Sequence, residues 1–158
     1  MRNPVSRLAA ARWNPYANAV RQGQGILPVR TRGRGIVEIT RAVDAWLAER
    51  SVLCGLLTVF VRHTSASLLI QENADPEVLR DLERWFARAV PDGDPLFLHT
   101  EEGPDDMSAH VRGALTQTSI AIPVDRGAMM LGTWQGLFLW EHRHAPHDRE
   151  VVLHYVGD

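Results

Sequence analysis

Lysine is absent. All 17 basic side chains of the 158-residue chain are arginines, set against 19 acidic ones for a formal charge of −2. Without a lysine amine the chain can form no Schiff base, anchor no pyridoxal phosphate and carry no GxxxxGK phosphate loop. Every fixed cationic contact must therefore come from a planar guanidinium. Cysteine is nearly absent too: a lone Cys54 excludes a disulfide framework within the chain and points to a reducing compartment. It lies in the apolar run 52–61, where a small core residue is expected. No run approaches the roughly 20 apolar residues of a membrane span, and the apolar stretch 8–11 is too short for a secretory leader. A cytoplasmic protein with no membrane partner is expected. There is no excess of positive charge for duplex nucleic acid, and the one local bias is the first 34 residues, which hold seven arginines and no acid. The length suits one domain and falls well short of the roughly 250 residues of a (β/α)8 barrel.

Residues 1–23 show no apolar period and read as a loosely ordered extension, leaving 24–158 as the domain. Residues 24–30 and 36–39, around the Gly33-Arg34-Gly35 turn, predict a hairpin. Thr40 is expected to cap a short helix with Val43, Trp46 and Leu47 on one face. The run 52–61 is apolar on both alternating faces, the pattern of a central strand covered on each side. Residues 66–70 predict another strand. Asp75-Pro76-Glu77 is the chain's strongest helix start, and Val78, Leu79, Leu82, Trp85, Phe86 and Ala89 follow at helical spacing. Residues 96–98 predict a short strand ending at His99, and Ser108 is expected to cap a turn or two of helix. Residues 120–124 and 129–134 predict a second hairpin, the latter extending to about Glu141, and 150–156 a closing strand. The sum is a single compact α+β domain with a large mixed or antiparallel sheet, or a sandwich, and two main helices. Several strands lack a polar face, which two helices cannot cover, so a homo-oligomer is expected.

Polar residues collect at strand ends and in loops. His63, His99 and His110 each adjoin an apolar element; three imidazoles and a water make an open zinc site, while hydrogen-bonded histidines at strand ends fit the same pattern. His142, His144 and His147 read as a solvated turn. Thr64 and Ser65, beside Arg62 and with Arg143, offer hydroxyls and a guanidinium fork for a phosphate, with a surface ion pair as the alternative for either arginine. Asp105 and Asp106 are candidates for hard oxygen ligands to magnesium or for a base, or are simply solvated. The glycines of GTWQG (132–136) suggest a bulge or a close backbone approach.

Three separated segments, HTSASLLIQENADP (63–76), EGPDDMSAH (102–110) and LGTWQG (131–136) with EHR (141–143), resemble the YjbQ-like family in order and spacing from about residue 24 to the C-terminus. Its members are described as secondary thiamine-phosphate synthases. The resemblance implies a homotrimer and a site made of the motif residues. These are His63, His99 and His110 at a divalent metal (zinc or magnesium), Asp106, Glu141 and Arg143 as catalytic groups, and Thr64, Ser65 and Gln135 around the substrate. Arg62 and Arg112 are the neighbouring charges. The implied reaction joins a pyrimidine diphosphate to a thiazole phosphate, giving thiamine phosphate and pyrophosphate. The alternative is a non-catalytic trimer that binds a phosphorylated metabolite and holds a structural metal. Two positions depart from the family pattern: Ser108 stands where many members have proline, and Arg112-Gly113 where many have Lys-Ser.

Overall fold

A computed structural model describes residues 19–158. The expected extension falls largely outside them, although the first strand already starts at Arg21. In chain order the elements are β1 (Arg21–Arg30), β2 (Gly35–Glu38), α1 (Thr40–Ala48), β3 (Cys54–Val61), β4 (Ala66–Glu72), α2 (Pro76–Ala89), α3 (Asp106–Leu115), β5 (Ser119–Asp125), β6 (Ala128–Met129), β7 (Gln135–Glu141) and β8 (Asp148–Gly157). They form a five-stranded sheet, β1-β8-β3-β5-β6, and a three-stranded sheet, β2-β7-β4. Every pairing is antiparallel. No described helix is long and apolar enough to cross a membrane.

Period-two alternation decides which side chains meet between the sheets. Leu57, Val59 and Val61 of β3 and Val151, Leu153 and Tyr155 of β8 point inward. They join Ala66 and Leu68 of β4, Leu137 and Leu139 of β7, and Val43 and Leu47 of α1 in one buried cluster. The opposite face of the larger sheet is not covered as the two-sided pattern of 52–61 suggests: Leu56 and Phe60 are 45% and 42% exposed. The strand is central because β8 and β5 flank it, not because both its faces are buried.

The smaller sheet is covered on both sides. Leu137 and Leu139 face the core, while Trp140 lies under α2, its ring edge-on to Phe86 at 4.8 Å and its Nε1 donating to Glu83. Helix α2 begins as its sequence dictates, with the Asp75 carboxylate accepting from the Glu77 N–H at 2.9 Å and proline in the first turn. Its apolar stripe is half-buried, and no residue of α2 is fully buried. Thr40 does not cap α1; its hydroxyl accepts the Leu137 N–H and donates to Glu38 instead.

The first expected hairpin is a sheet crossing, and the second forms only over its first residues. β1 pairs with β8 and β2 with β7, so the 31–34 connection carries the chain from one sheet to the other. The second expected hairpin pairs β5 with the two-residue β6, after which the chain crosses to β7 instead of continuing the hairpin. There the Gly132 N–H donates to the Gln135 side chain at 2.8 Å and closes the turn. Alternation reveals a strand but not which sheet it joins. Residues 96–98 are not a strand and pair with none of the described strands. Helix α3 opens at Asp106, two residues before the expected Ser108, and makes a third helix of ten residues.

The first crossing depends on Gly33, which sits at φ +113° with room for no Cβ: one would lie 2.4 Å from the His144 carbonyl oxygen. Gly33→Ala is expected to lower the unfolding free energy by at least about 1 kcal/mol, read from urea denaturation, since both the conformation and the contact oppose it.

Candidate functional site

The early start of α3 matters for chemistry, because it places Asp106 and His110 four residues apart on one helical face. The irregular segment before it brings His99 to the same point. His99 Nε2 lies 2.8 Å from Asp106 Oδ2 and His110 Nε2 lies 3.4 Å from the same oxygen. All three potential ligand atoms fall within 4.8 Å of one another. Asp106 is 2% exposed, whereas both histidine side chains keep a solvent face. Two imidazoles and a carboxylate suit zinc and neighbouring transition ions better than magnesium, which prefers an all-oxygen shell.

Arg143 holds this cluster from behind. Its Nη1 donates to Asp106 Oδ1, its Nε to Asp105 Oδ2 at 3.1 Å and its Nη2 to the Glu102 carbonyl at 2.7 Å. With Oδ1 taken, Oδ2 of Asp106 is left to the histidines. Burial works against a charge on Asp105, but the His144 N–H and the Arg143 guanidinium outweigh it and hold the carboxyl below its usual value. Arg143 is thereby committed to the chain's own acceptors rather than displayed to a phosphate.

Glu141 anchors Arg143 in turn. It is fully buried and accepts from Arg149 Nε at 2.7 Å and Nη2 at 2.6 Å, from the Thr31 hydroxyl at 3.0 Å and from the Arg143 N–H at 2.9 Å. Burial disfavours its charge, yet these donors keep its carboxyl below the usual range. A carboxylate so enclosed touches no substrate; it positions others.

The remaining expected residues lie elsewhere. Arg62, His63, Thr64 and Ser65 line an open cleft of about 590 Å³ with Phe60, Thr118 and Arg149. His63 Nε2 accepts the Glu150 N–H at 3.0 Å, and His63 is not one of the three clustered ligands. Burial, followed by nearby Arg149, lowers its pKa. Arg62 makes a half-exposed ion pair with Glu150 at 3.0 Å, and the Ser65 hydroxyl accepts from Arg149 at 3.0 Å. Arg112 is fully buried, donating to the Val90 carbonyl, so it is not open to a solvent-borne ligand. Gln135 lies at the end of β7 opposite Glu141, roughly 20 Å away at about 3.3 Å per residue.

Several groups here had no sequence signal, or a misleading one. Arg149 is 4% exposed and links Ser65 to Glu141. The expected solvated turn contains a fully buried His142, bonded through Nε2 to the Ser67 hydroxyl at 2.9 Å. Asp92 joins Arg34 through two 2.8 Å bonds, and also His144 and Ser108, whose hydroxyl therefore serves Asp92 rather than a helix start. Burial opposes the Asp92 charge, but these donors hold its carboxyl far below the usual range. Only the four-residue spacing of Asp106 and His110 could have announced the cluster, and it speaks only once the helix start is known.

Comparison with known proteins gives one consistent family. A family model described as UPF0047 protein YjbQ-like matches residues 26–158. A UPF0047 protein of Synechocystis is 52% identical over 142 residues, 90% of this chain and 97% of that protein. UPF0047 protein YjbQ of Escherichia coli O157:H7 is 39% identical over 136 residues, 85% and 98% of the two chains. Among solved structures, a hypothetical protein from Aeropyrum pernix superposes with a TM-score of 0.79 at 31% identity, covering 86% of this chain and 99% of its own. A conserved hypothetical protein from Thermus thermophilus gives 0.73 at 39% identity, covering 81% and 97%.

Burial, then the nearby Arg112, pushes His142 down from 6.5 to about 3. Between those values the unfolded chain binds a proton that the folded chain refuses, so stability falls as pH drops through that window. His63 adds to the fall. The depressed carboxylates Asp92, Asp105 and Glu141 add to it again at its acidic end, below about their ordinary values near 4. His142→Gln is expected to remove its share of the slope, measured by urea unfolding across the window.

Proposed function

This chain belongs to the YjbQ-like UPF0047 family, and from that premise we propose that it is a metal-assisted enzyme acting on phosphorylated heterocyclic small molecules. Thiamine phosphate formation is one measurable activity, and the working form is a cytoplasmic homotrimer. The observation that carries the reading is the convergence of His99, Asp106 and His110 on one point, with the second Asp106 oxygen fixed by Arg143. A divalent ion held there would supply positive charge to a departing diphosphate. The half-exposed histidine faces favour an open, catalytic site over a closed structural one.

The chain's own groups would do the rest. Arg62 and the Thr64 hydroxyl, in the adjoining cleft, receive a phosphate: the ion pair of Arg62 with Glu150 is surface-exposed and worth at most about 1 kcal/mol, so an incoming dianion displaces it. The bonded series Ser65, Arg149, Glu141, Arg143, Asp106 ties that cleft to the histidine cluster, so the two are held in fixed relation.

Elemental analysis of the purified protein is expected to find a transition ion that Asp106→Asn and His110→Ala lose. Arg143→Gln, which removes the support but no ligand, is expected to weaken ion affinity by about 10- to 100-fold. Turnover of the pyrimidine diphosphate and thiazole phosphate is expected to drop about 100-fold or more in His110→Ala. Unchanged turnover in metal-stripped His110→Ala protein would refute the enzyme reading.

A further inference from the structure

His63 uses one ring nitrogen inside the chain and leaves the other to the cleft. Its Nε2 lies 3.0 Å from the Glu150 backbone nitrogen. A backbone N–H can only donate, so Nε2 must offer its lone pair and the ring proton sits on Nδ1. The Glu150 carbonyl accepts the Arg62 N–H at 3.1 Å, so the Arg62-His63 turn grips both backbone groups of Glu150, itself held in β8 opposite Pro28 of β1. The ring cannot turn over without losing its bond. Nδ1 meets no described residue and is not sealed from water. It belongs to the cleft of about 590 Å³ that Arg62, Thr64, Thr118 and Arg149 also line, with no carboxylate among the described lining residues. Charges reach the ring from several elements. Burial and then Arg149 of β8 favour its neutral form, Glu150 of β8 and Glu141 of β7 oppose them, and His147 adds a smaller push toward neutrality. The net effect is a pKa below the usual 6.5. Protonating Nε2 would also set one N–H against another.

We propose that His63 is a binding residue of fixed tautomer, whose neutral Nδ1–H donates to one oxygen of a phosphomonoester dianion seated beside Arg62 and Thr64. This rests on the reading of the cleft as a phosphate seat. It excludes the role usually given to a histidine next to a phosphate. With Nε2 occupied and Nδ1 protonated the ring has no free lone pair, so it takes no proton as a base, and giving up its proton as an acid would leave an imidazolate. What it contributes is direction: one N–H from the end of β3, beside a guanidinium that carries the charge. Recognition then follows the ionisation of the ligand instead of that of the protein. A phosphomonoester loses its second proton near about pH 6, and the arginine-lined cleft favours the dianion that results.

The test uses the full chain, without added metal, and methyl phosphate as the probe. Nitrogen-15 spectra of the histidine rings above about pH 7 are expected to show His63 with Nδ1 protonated and Nε2 bare, and its Nδ1–H proton to move downfield as methyl phosphate is added. Calorimetric affinity is expected to rise with pH through about 6 and stay level between about 7 and 8.5. An imidazolium contact would instead weaken by up to about tenfold per pH unit above the ring's pKa. Two variants separate the nitrogens. His63→Gln keeps an acceptor for the Glu150 N–H but not the cleft donor, and is expected to bind methyl phosphate about 10-fold or more weakly. His63→Asn keeps an N–H near the Nδ1 position but not that acceptor, and is expected to stay within about 3-fold of wild type. A ring proton on Nε2, a Gln variant that binds as tightly as wild type, an Asn variant weaker than the Gln variant, or affinity that falls between about pH 7 and 8.5 would overturn the proposal. Failure of the phosphate seat is distinct: wild type and both variants would then bind no methyl phosphate, which removes this contact with it, while the spectra still report the tautomer.

Discussion

A carboxylate without access to water is costly, and Glu141 is such a group. Taking one ion out of solvent costs several kcal/mol unless its lone pairs are met. Here they are met by Arg149 from β8, by the Thr31 hydroxyl from the crossing between sheets, and by the Arg143 N–H. These donors come from different layers, so satisfying one charge fastens the smaller sheet to the larger. The same bonds aim Arg143 at Asp105 and Asp106 and thus define which Asp106 oxygen faces the histidines. Replacing the carboxylate by an apolar side chain would strand Arg149, so the network stands or falls as a unit.

Absence of lysine acquires a structural meaning in this setting. Arg143 meets two carboxylates and a carbonyl at once, and Arg34 grips Asp92 with two parallel bonds while its Nε donates to the His142 carbonyl. Such multiple, directional contacts need a rigid planar fork, and an ammonium point charge would give up the geometry. The arginines buried around the cluster are scaffolding; Arg62, half in water, remains open to exchange its partner.

Local rules in the sequence were legible where local physics decides the outcome. Asp75-Pro76 starts α2 as written, and the two-faced run through Leu137 and Trp140 is a strand buried on both sides. Failures came where a distant partner decides. Alternation at 24–30 and 36–39 identified strands, yet the choice of sheet rests on β8 and β7, about 100 residues or more away. Ser108 looked like a cap, but Asp92 claims its hydroxyl, and the helix start moved to Asp106. His142 looked solvated beside two other histidines, although its place at the end of β7 buries it. The candidate site shows the same division. His99, Asp106, His110 and Arg143 gather in one place, while His63 stands in the neighbouring cleft and Gln135 at the other end of a strand.

The register of β8 also bears on how the molecule comes into being. β8 lies between β1 and β3, pairing with the first from Arg21↔Gly157 to Arg30↔Asp148 and with the second over seven residues. β8 is therefore an interior strand, and the larger sheet cannot close until β8 has joined it. Until then β1 and β3 both present open hydrogen-bonding edges, and joining them demands contacts of very large sequence separation. Such topologies fold slowly and spend longer as sticky intermediates. The steepest rise in protease resistance during folding is thus tied to the docking of β8 between β1 and β3.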